Sequence, residues 1–192
     1  MVTREEWLNK AMHVIAEQIM LPADPDSVKD IDKWRVSVGW PGGRGKKDKA
    51  IGQCWSDKAS EGGLTEMFIG PNLATAQEVD HVLLHEMIHA AVGVENQHNK
   101  VFGKLARAVG LEGKLTATYA GEKLRQLLDS CLEHLGPFPH ARLSMADSGI
   151  KKQTTRMLKL ECEGCGYTVR TTQKWLDIGI PTCHCGSTFT HN

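Results

Sequence analysis

Val82-Leu83-Leu84-His85-Glu86-Met87-Ile88-His89-Ala90 decides how this chain is read, because it sets a His-Glu-x-x-His pattern inside an otherwise apolar run. Two imidazoles four residues apart on an α-helix lie one turn above each other, so both can reach a single metal ion at about 2.0–2.1 Å. The neighbouring residues supply the helix. Thr75 and Glu78 form a capping box, and Val79, Val82, Leu83, Met87, Ile88 and Val92 continue the apolar positions past the motif. So apolar a surround predicts a buried helix. Two imidazoles and a carboxylate buried there without partners would be unfavourable by about 1–3 kcal/mol each, and a metal ion removes that difficulty. Glu86 points about 100° round the helix from His85. It can reach a metal-bound water without ligating the ion, which makes it the candidate general base.

A catalytic site needs a third protein ligand and an open fourth position. Gly93 to Asn99 turns the chain, and Val101, Phe102, Leu105, Ala108 and Val109 mark a following helix that ends at Gly110. His98 stands at the start of that helix, and the nine-residue step from His89 leaves room for a loop that folds back. Two other residues compete. Glu95, six residues past His89, has its glycine neighbour at the wrong place for a metzincin pattern. His81, one turn before His85, extends the histidine row, but Val82 rather than a glutamate follows it. His98 is therefore taken as the third ligand, with His81 supporting the site or facing solvent.

Upstream, Thr3 and Glu6 cap a helix from Thr3 to Met20 with Leu8, Ala11, Met12, Ile15 and Ile19 on its apolar face, His13 on its polar side and Pro22 as its terminator. Trp34 to Trp40 alternates as a half-buried strand, and Ile51 to Trp55 and Glu66 to Ile69 are two further short strands. Three strands ahead of a metal helix predict an α+β layer. The loop Pro41 to Lys49 carries Arg44, Lys46, Lys47 and Lys49, and is a candidate for contacting phosphate or a substrate chain or for gating the metal position. Downstream, Gly121 to Leu135 reads as an amphipathic helix through Leu124, Leu127, Leu128, Cys131, Leu132 and Leu135. Gly136 to His140 breaks it and a polar run leads to Gly149, which divides the chain into a domain at 1–136, a linker at 137–150 and a terminal module at 151–192.

That terminal module holds four of the six cysteines. Cys162 and Cys165, then, after seventeen intervening residues, Cys183 and Cys185, form paired knuckles of the zinc-ribbon type, whose four thiolates would close a structural site with no room for water. The second pair is Cys-x-Cys, so His184 or His191 is a possible substitute for one thiolate. Cys54 and Cys131, alone in apolar patterns, read as packing residues. So few residues cannot bury enough core to fold unaided, and zinc would supply most of the folding free energy.

At 192 residues the chain fits one domain and a small module, and its 23 Lys+Arg against 23 Asp+Glu give no global electrostatic argument for a nucleic-acid partner. The argument is local. From residue 141 onward seven Lys/Arg face four Asp/Glu, with Lys151, Lys152, Arg156, Lys159, Arg170 and Lys174 beside Tyr167 and Trp175. Cations interleaved with aromatic faces suit single-stranded nucleic acid. No stretch approaches the ~18 apolar residues of a membrane span, and the N-terminus shows no signal peptide, so a cytoplasmic protein is expected.

His85-Glu86-Met87-Ile88-His89-Ala90, then Gln97-His98-Asn99-Lys100-Val101-Phe102, then a terminal zinc ribbon together resemble the SprT-like family, which includes the Spartan metalloproteases. Ile51-Gly52-Gln53-Cys54 and Glu66 to Leu73 resemble the strand pair ahead of that family's metal helix. Members usually have Gly-His-Gly at the third ligand, where this chain has Gln97-His98-Asn99; the aromatic Phe102 is retained. The resemblance implies a zincin-like, minigluzincin-type domain with a short antiparallel sheet packed on helices. It also implies one catalytic zinc on His85, His89 and His98, a structural zinc on the ribbon, Glu86 as the base, and a small bacterial or phage-type protein acting on DNA-associated proteins. A non-enzymatic nucleic-acid-binding or transcription-associated protein, its first zinc merely bracing the fold, is the alternative.

Overall fold

A computed structural model of the protein describes residues 2–40, 50–144 and 157–191. The chain forms two units, Met1–Ser144 and Met145–Asn192. The first begins with α1 (Arg4–Ile15), capped as its sequence predicts: Thr3 Oγ1 accepts from Glu6 N–H at 3.1 Å and the Glu6 carboxylate accepts from Thr3 N–H at 2.7 Å. Pro22 does not terminate this helix. One π-helical turn, Ala16–Met20, carries it into α2 (Leu21–Ala23), where Pro22 falls in the first turn of the new segment and its missing N–H is tolerated. Leu8, Ala11, Met12, Ile15, Ile19 and Met20 are thereby all buried in one core.

The three expected strands are present as β1 (Trp34–Val38), β2 (Gly52–Trp55) and β3 (Thr65–Ile69), in the order β1-β3-β2. The sheet is mixed, however, and not antiparallel. β2 pairs antiparallel with β3, but β1 and β3 run parallel, Trp34 opposite Thr65 and Val38 opposite Ile69. After β1 the chain crosses to the far edge to lay down β2, then returns as β3 between the two, which forces the parallel pair.

α3 (Ala76–Val92) lies against β2 and β3 and carries the His-Glu-x-x-His motif. Both halves of its predicted capping box form, with Thr75 Oγ1 accepting from Glu78 N–H at 3.2 Å and Glu78 accepting from Thr75 N–H at 3.1 Å. Gly93, at φ +90°, stops it in a conformation that favours glycine. α4 (Lys100–Ala108) follows, then a hairpin of β4 (Leu111–Lys114) and β5 (Ala117–Ala120), then α5 (Glu122–Leu132). Asp80 on α3 is only 1% exposed; its carboxylate accepts from Arg125 of α5 and from the His81 backbone N–H, joining the two helices through a charge-assisted pair.

The stretch expected to start a linker at residue 137 is instead part of the first unit. Phe138 is buried with its ring 5.2 Å from that of Trp7, whose Nε1–H donates to Gly136 O at 3.0 Å. Leu143 N–H donates to Pro71 O, and Arg142 pairs with Glu78. An aromatic side chain that can cover the end of α1 decides the packing here, against the turn-rich composition.

The second unit is a three-stranded antiparallel sheet ordered β7-β6-β8, of β6 (Leu158–Cys162), β7 (Thr168–Thr171) and β8 (Phe189–His191), with one helical turn, α6 (Gln173–Leu176). Its core is four buried residues, Leu160, Cys162, Cys183 and Phe189. Such a core is too small to hold a fold alone.

Candidate metal centres and active-site cleft

Among the described residues two clusters bring together side chains that could hold a metal ion: His85, His89 and His98 in the first unit, and Cys162, Cys165, Cys183 and Cys185 in the second. In the first, His98 Nε2 lies 3.1 Å from His85 Nε2 and 3.2 Å from His89 Nε2. Nitrogens bound to one tetrahedral ion at about 2.0–2.1 Å stand roughly 3.3 Å apart, so the three imidazoles are spaced as ligands of one ion. Three nitrogen lone pairs aimed at one point repel unless a cation lies between them.

Each imidazole is prepared for that role. His85 Nδ1 lies 2.8 Å from Thr118 Oγ1, a hydroxyl that accepts from Nδ1–H whenever Nε2 is the ligating nitrogen. Burial pushes the pKa of His85 down to about 3 and that of His89 to about 4, and lowers His98 as well, so all three are neutral near pH 7. The Phe102 ring, on α4, lies against all three, with centroids 4.9, 4.5 and 5.1 Å from those of His85, His89 and His98. It forms an apolar wall behind the nitrogens. Asn99 starts α4 by accepting from Val101 N–H at 2.8 Å, so the residue after His98 anchors the loop to a helix end.

Glu86 is 5% exposed, and burial raises its carboxyl to about 8. Gly52 on β2 makes its position possible: a Cβ at residue 52 would overlap Glu86 Oε1 and Val82 Cγ1. These residues line a cleft of about 530 Å³ with Gln53, Cys54, His81, Val94, Gln97 and Ala117. The cleft is bounded by edge strand β2 on one side and by the β4–β5 hairpin on the other.

Of the competing residues, His81 lies in this cleft with Nδ1 3.1 Å from Gln77 O, where the imidazole N–H donates to the carbonyl, while Glu95 is exposed and outside the metal cluster. Cys54, expected as a packing residue, packs half-buried against the core and also borders the cleft, its thiol pushed up first by burial and then by the charge of Glu86. Thr118 and the hairpin around it did not figure among the residues read from sequence. The one signal for them is Gly113, which takes φ +90° beside Tyr119.

In the second cluster Cys162 Sγ lies 3.4 Å from Cys185 Sγ, and Cys165 Sγ 3.6 Å from Cys183 Sγ. Thiolates about 2.3 Å from one tetrahedral zinc stand roughly 3.8 Å apart, which fits four cysteine ligands. The Ser187 backbone N–H and hydroxyl hold the Cys185 thiol down at about 6, so the Cys-x-Cys spacing still delivers a thiolate. His184 is exposed, its ring edge-on to Tyr167 at 5.5 Å and its Nδ1 3.6 Å from Cys183 Sγ; the His191 side chain lies outside the described residues. Of the basic residues, Lys159 and Arg170 sit opposite each other on β6 and β7, Lys159 also pairing with Glu161 at 2.8 Å, and Lys174 lies 5.2 Å from the Trp175 ring. Lys151, Lys152 and Arg156, like the Arg44 to Lys49 loop, lie outside the described residues.

The fold and the histidine cluster define an α+β protein with a candidate three-histidine metal centre at the floor of an open cleft. A sequence model of the SprT-like family matches residues 16–120, more than half the chain, and the chain belongs to that family. The match takes in the sheet, α3, His98 and the hairpin with Thr118, and ends before the cysteine module. Searches of curated proteins and of solved structures found no match. Among the described residues no helix is long and apolar enough to cross a membrane.

Proposed function

We propose that this protein is a zinc-dependent metallopeptidase with a zincin-type site, in which His85, His89 and His98 hold the ion and Glu86 moves the protons. The observation that carries this reading is the convergence of three neutral imidazole nitrogens beside a buried carboxylate in an open cleft. Bound there, zinc would polarise a scissile carbonyl and acidify a water. Glu86 would take a proton from a water and hand it to the leaving amine. Its carboxyl, buried in the cleft wall beside the histidines, is placed for both tasks. Thr118 accepts from His85 Nδ1–H when Nε2 ligates, and Phe102 closes the back of the site to water.

The substrates would be exposed or loosely folded segments of proteins associated with DNA. The cysteine module supports this part of the proposal as a zinc ribbon with a structural zinc. Tyr167 and Trp175 are 54% and 57% exposed, with Lys174 against the Trp175 ring and Arg170 on β7 of the same module, a combination suited to stacking bases while pairing phosphates. Facing cations at Lys159 and Arg170 would gain from a polyanion between them. A thiolate-zinc module also suits a reducing cytoplasm. The non-enzymatic reading leaves the cleft and Glu86 without a task.

Glu86→Gln should retain both zinc ions while losing cleavage of an unstructured protein substrate, with or without single-stranded DNA. Wild-type cleavage rates in that variant would overturn the proposal.

A further inference from the structure

The turn that presents His98 contains the one non-glycine residue at positive φ among the described residues: Gln97, at φ +45° and ψ −128°. An L side chain is strained in this region, whereas glycine is not. The turn around it is pinned from both sides. Asn96 Nδ2–H donates to Val92 O at 2.6 Å, Gln97 N–H to Val94 O at 3.1 Å, and Asn99 N–H and Nδ2–H to Asn96 O and Oδ1 at 3.1 and 3.0 Å. The backbone of residue 97 is thus set by its neighbours, and glycine would satisfy it better than glutamine.

The glutamine side chain gives nothing back to the fold. It is exposed, and its carboxamide has no hydrogen-bond partner among the described residues. It lines the same cleft as His85, Glu86, His89 and His98. Strain retained at a site without a structural return points to a task in that site. A carboxamide offers N–H donors and a C=O acceptor a short distance apart, which matches the C=O and N–H that an extended peptide presents.

We propose that Gln97 is a substrate-positioning residue whose carboxamide pairs with a main-chain peptide group of the substrate beside the scissile bond. Main-chain pairing makes its contribution independent of substrate sequence. The inference rests on the metallopeptidase reading and adds the group that holds the substrate chain in register with the metal centre.

The test uses the full chain as wild type, Gln97→Gly and Gln97→Ala, with zinc content, melting temperature, kinetics on three unstructured peptides of unrelated sequence, and peptide binding to the Glu86→Gln form of each. Gln97→Gly should keep both zinc ions, melt above wild type, and raise KM about tenfold on every peptide with kcat within about twofold, the loss expected for one or two hydrogen bonds. Gln97→Ala should show the same KM defect without the gain in melting temperature. Unchanged KM in Gln97→Gly would overturn the inference, as would a lower melting temperature or a defect confined to one peptide. A wild type that cleaves no peptide, with a Glu86→Gln form that binds none, would instead overturn the peptidase reading and this inference with it.

Discussion

Glu86 shows how much one carboxyl's surroundings decide. Burial raises it to about 8 from an ordinary 4.5, so without metal the folded chain holds a proton there that the unfolded chain has released. Its contribution to stability is full below pH 4.5 and is lost as pH rises through about 8. Metal-free wild type should therefore lose more melting temperature between pH 6 and pH 9 than metal-free Glu86→Gln, by at least about 4 °C for a chain of this size. Parallel melting curves would contradict the assignment. His85 and His89 act in the opposite sense: lowered pKa values make the metal-free fold less stable as pH falls below 6.5. Much at this scale is legible in sequence. His85, Glu86 and His89 follow from helical spacing, and His98 from its place ahead of an apolar helix. Gln97 is visible only as a departure from the usual glycine, because its φ is set by hydrogen bonds of Asn96 and Asn99 that no local pattern encodes.

Among the elements, α3 could be read almost to its last residue, since a capping box, an apolar period and a glycine stop are all local signals. The sheet's parallel pair could not be read, because the order β1-β3-β2 depends on where a crossover lands. The β4–β5 hairpin also escaped: only Leu111 of its strand residues is buried, so it has no apolar alternation to detect. Yet the hairpin supplies Thr118, the only side chain bonded to His85 Nδ1 among the described residues. Thr118→Val keeps the shape and removes the acceptor. Zinc affinity of the histidine site should fall about 10- to 100-fold, measured by chelator competition, while the cysteine site is unaffected. Equal affinity would mean the hairpin does not orient the ligand. Phe138 carries the converse lesson: turn-rich composition suggested a linker, but one aromatic ring over Trp7 fixes the segment to the first unit.

At the scale of the whole molecule, two units with separate cores each centre on a candidate metal site of different chemistry. Removal of residues 145–192 should leave a cooperatively folded first unit that retains the histidine site, because the Trp7, Trp34 and Phe102 core lies wholly within it. Salt-sensitive binding to single-stranded DNA should be lost with the removed module; undiminished binding would assign nucleic-acid contact elsewhere. The measurement that tests the central claim most directly is the zinc content, by elemental analysis, of wild type and His98→Ala after dialysis against a mild chelator. Two ions per chain in wild type and one in His98→Ala would establish three histidines around one ion beside a four-cysteine site. Two ions retained in His98→Ala, or only one in wild type, would contradict it.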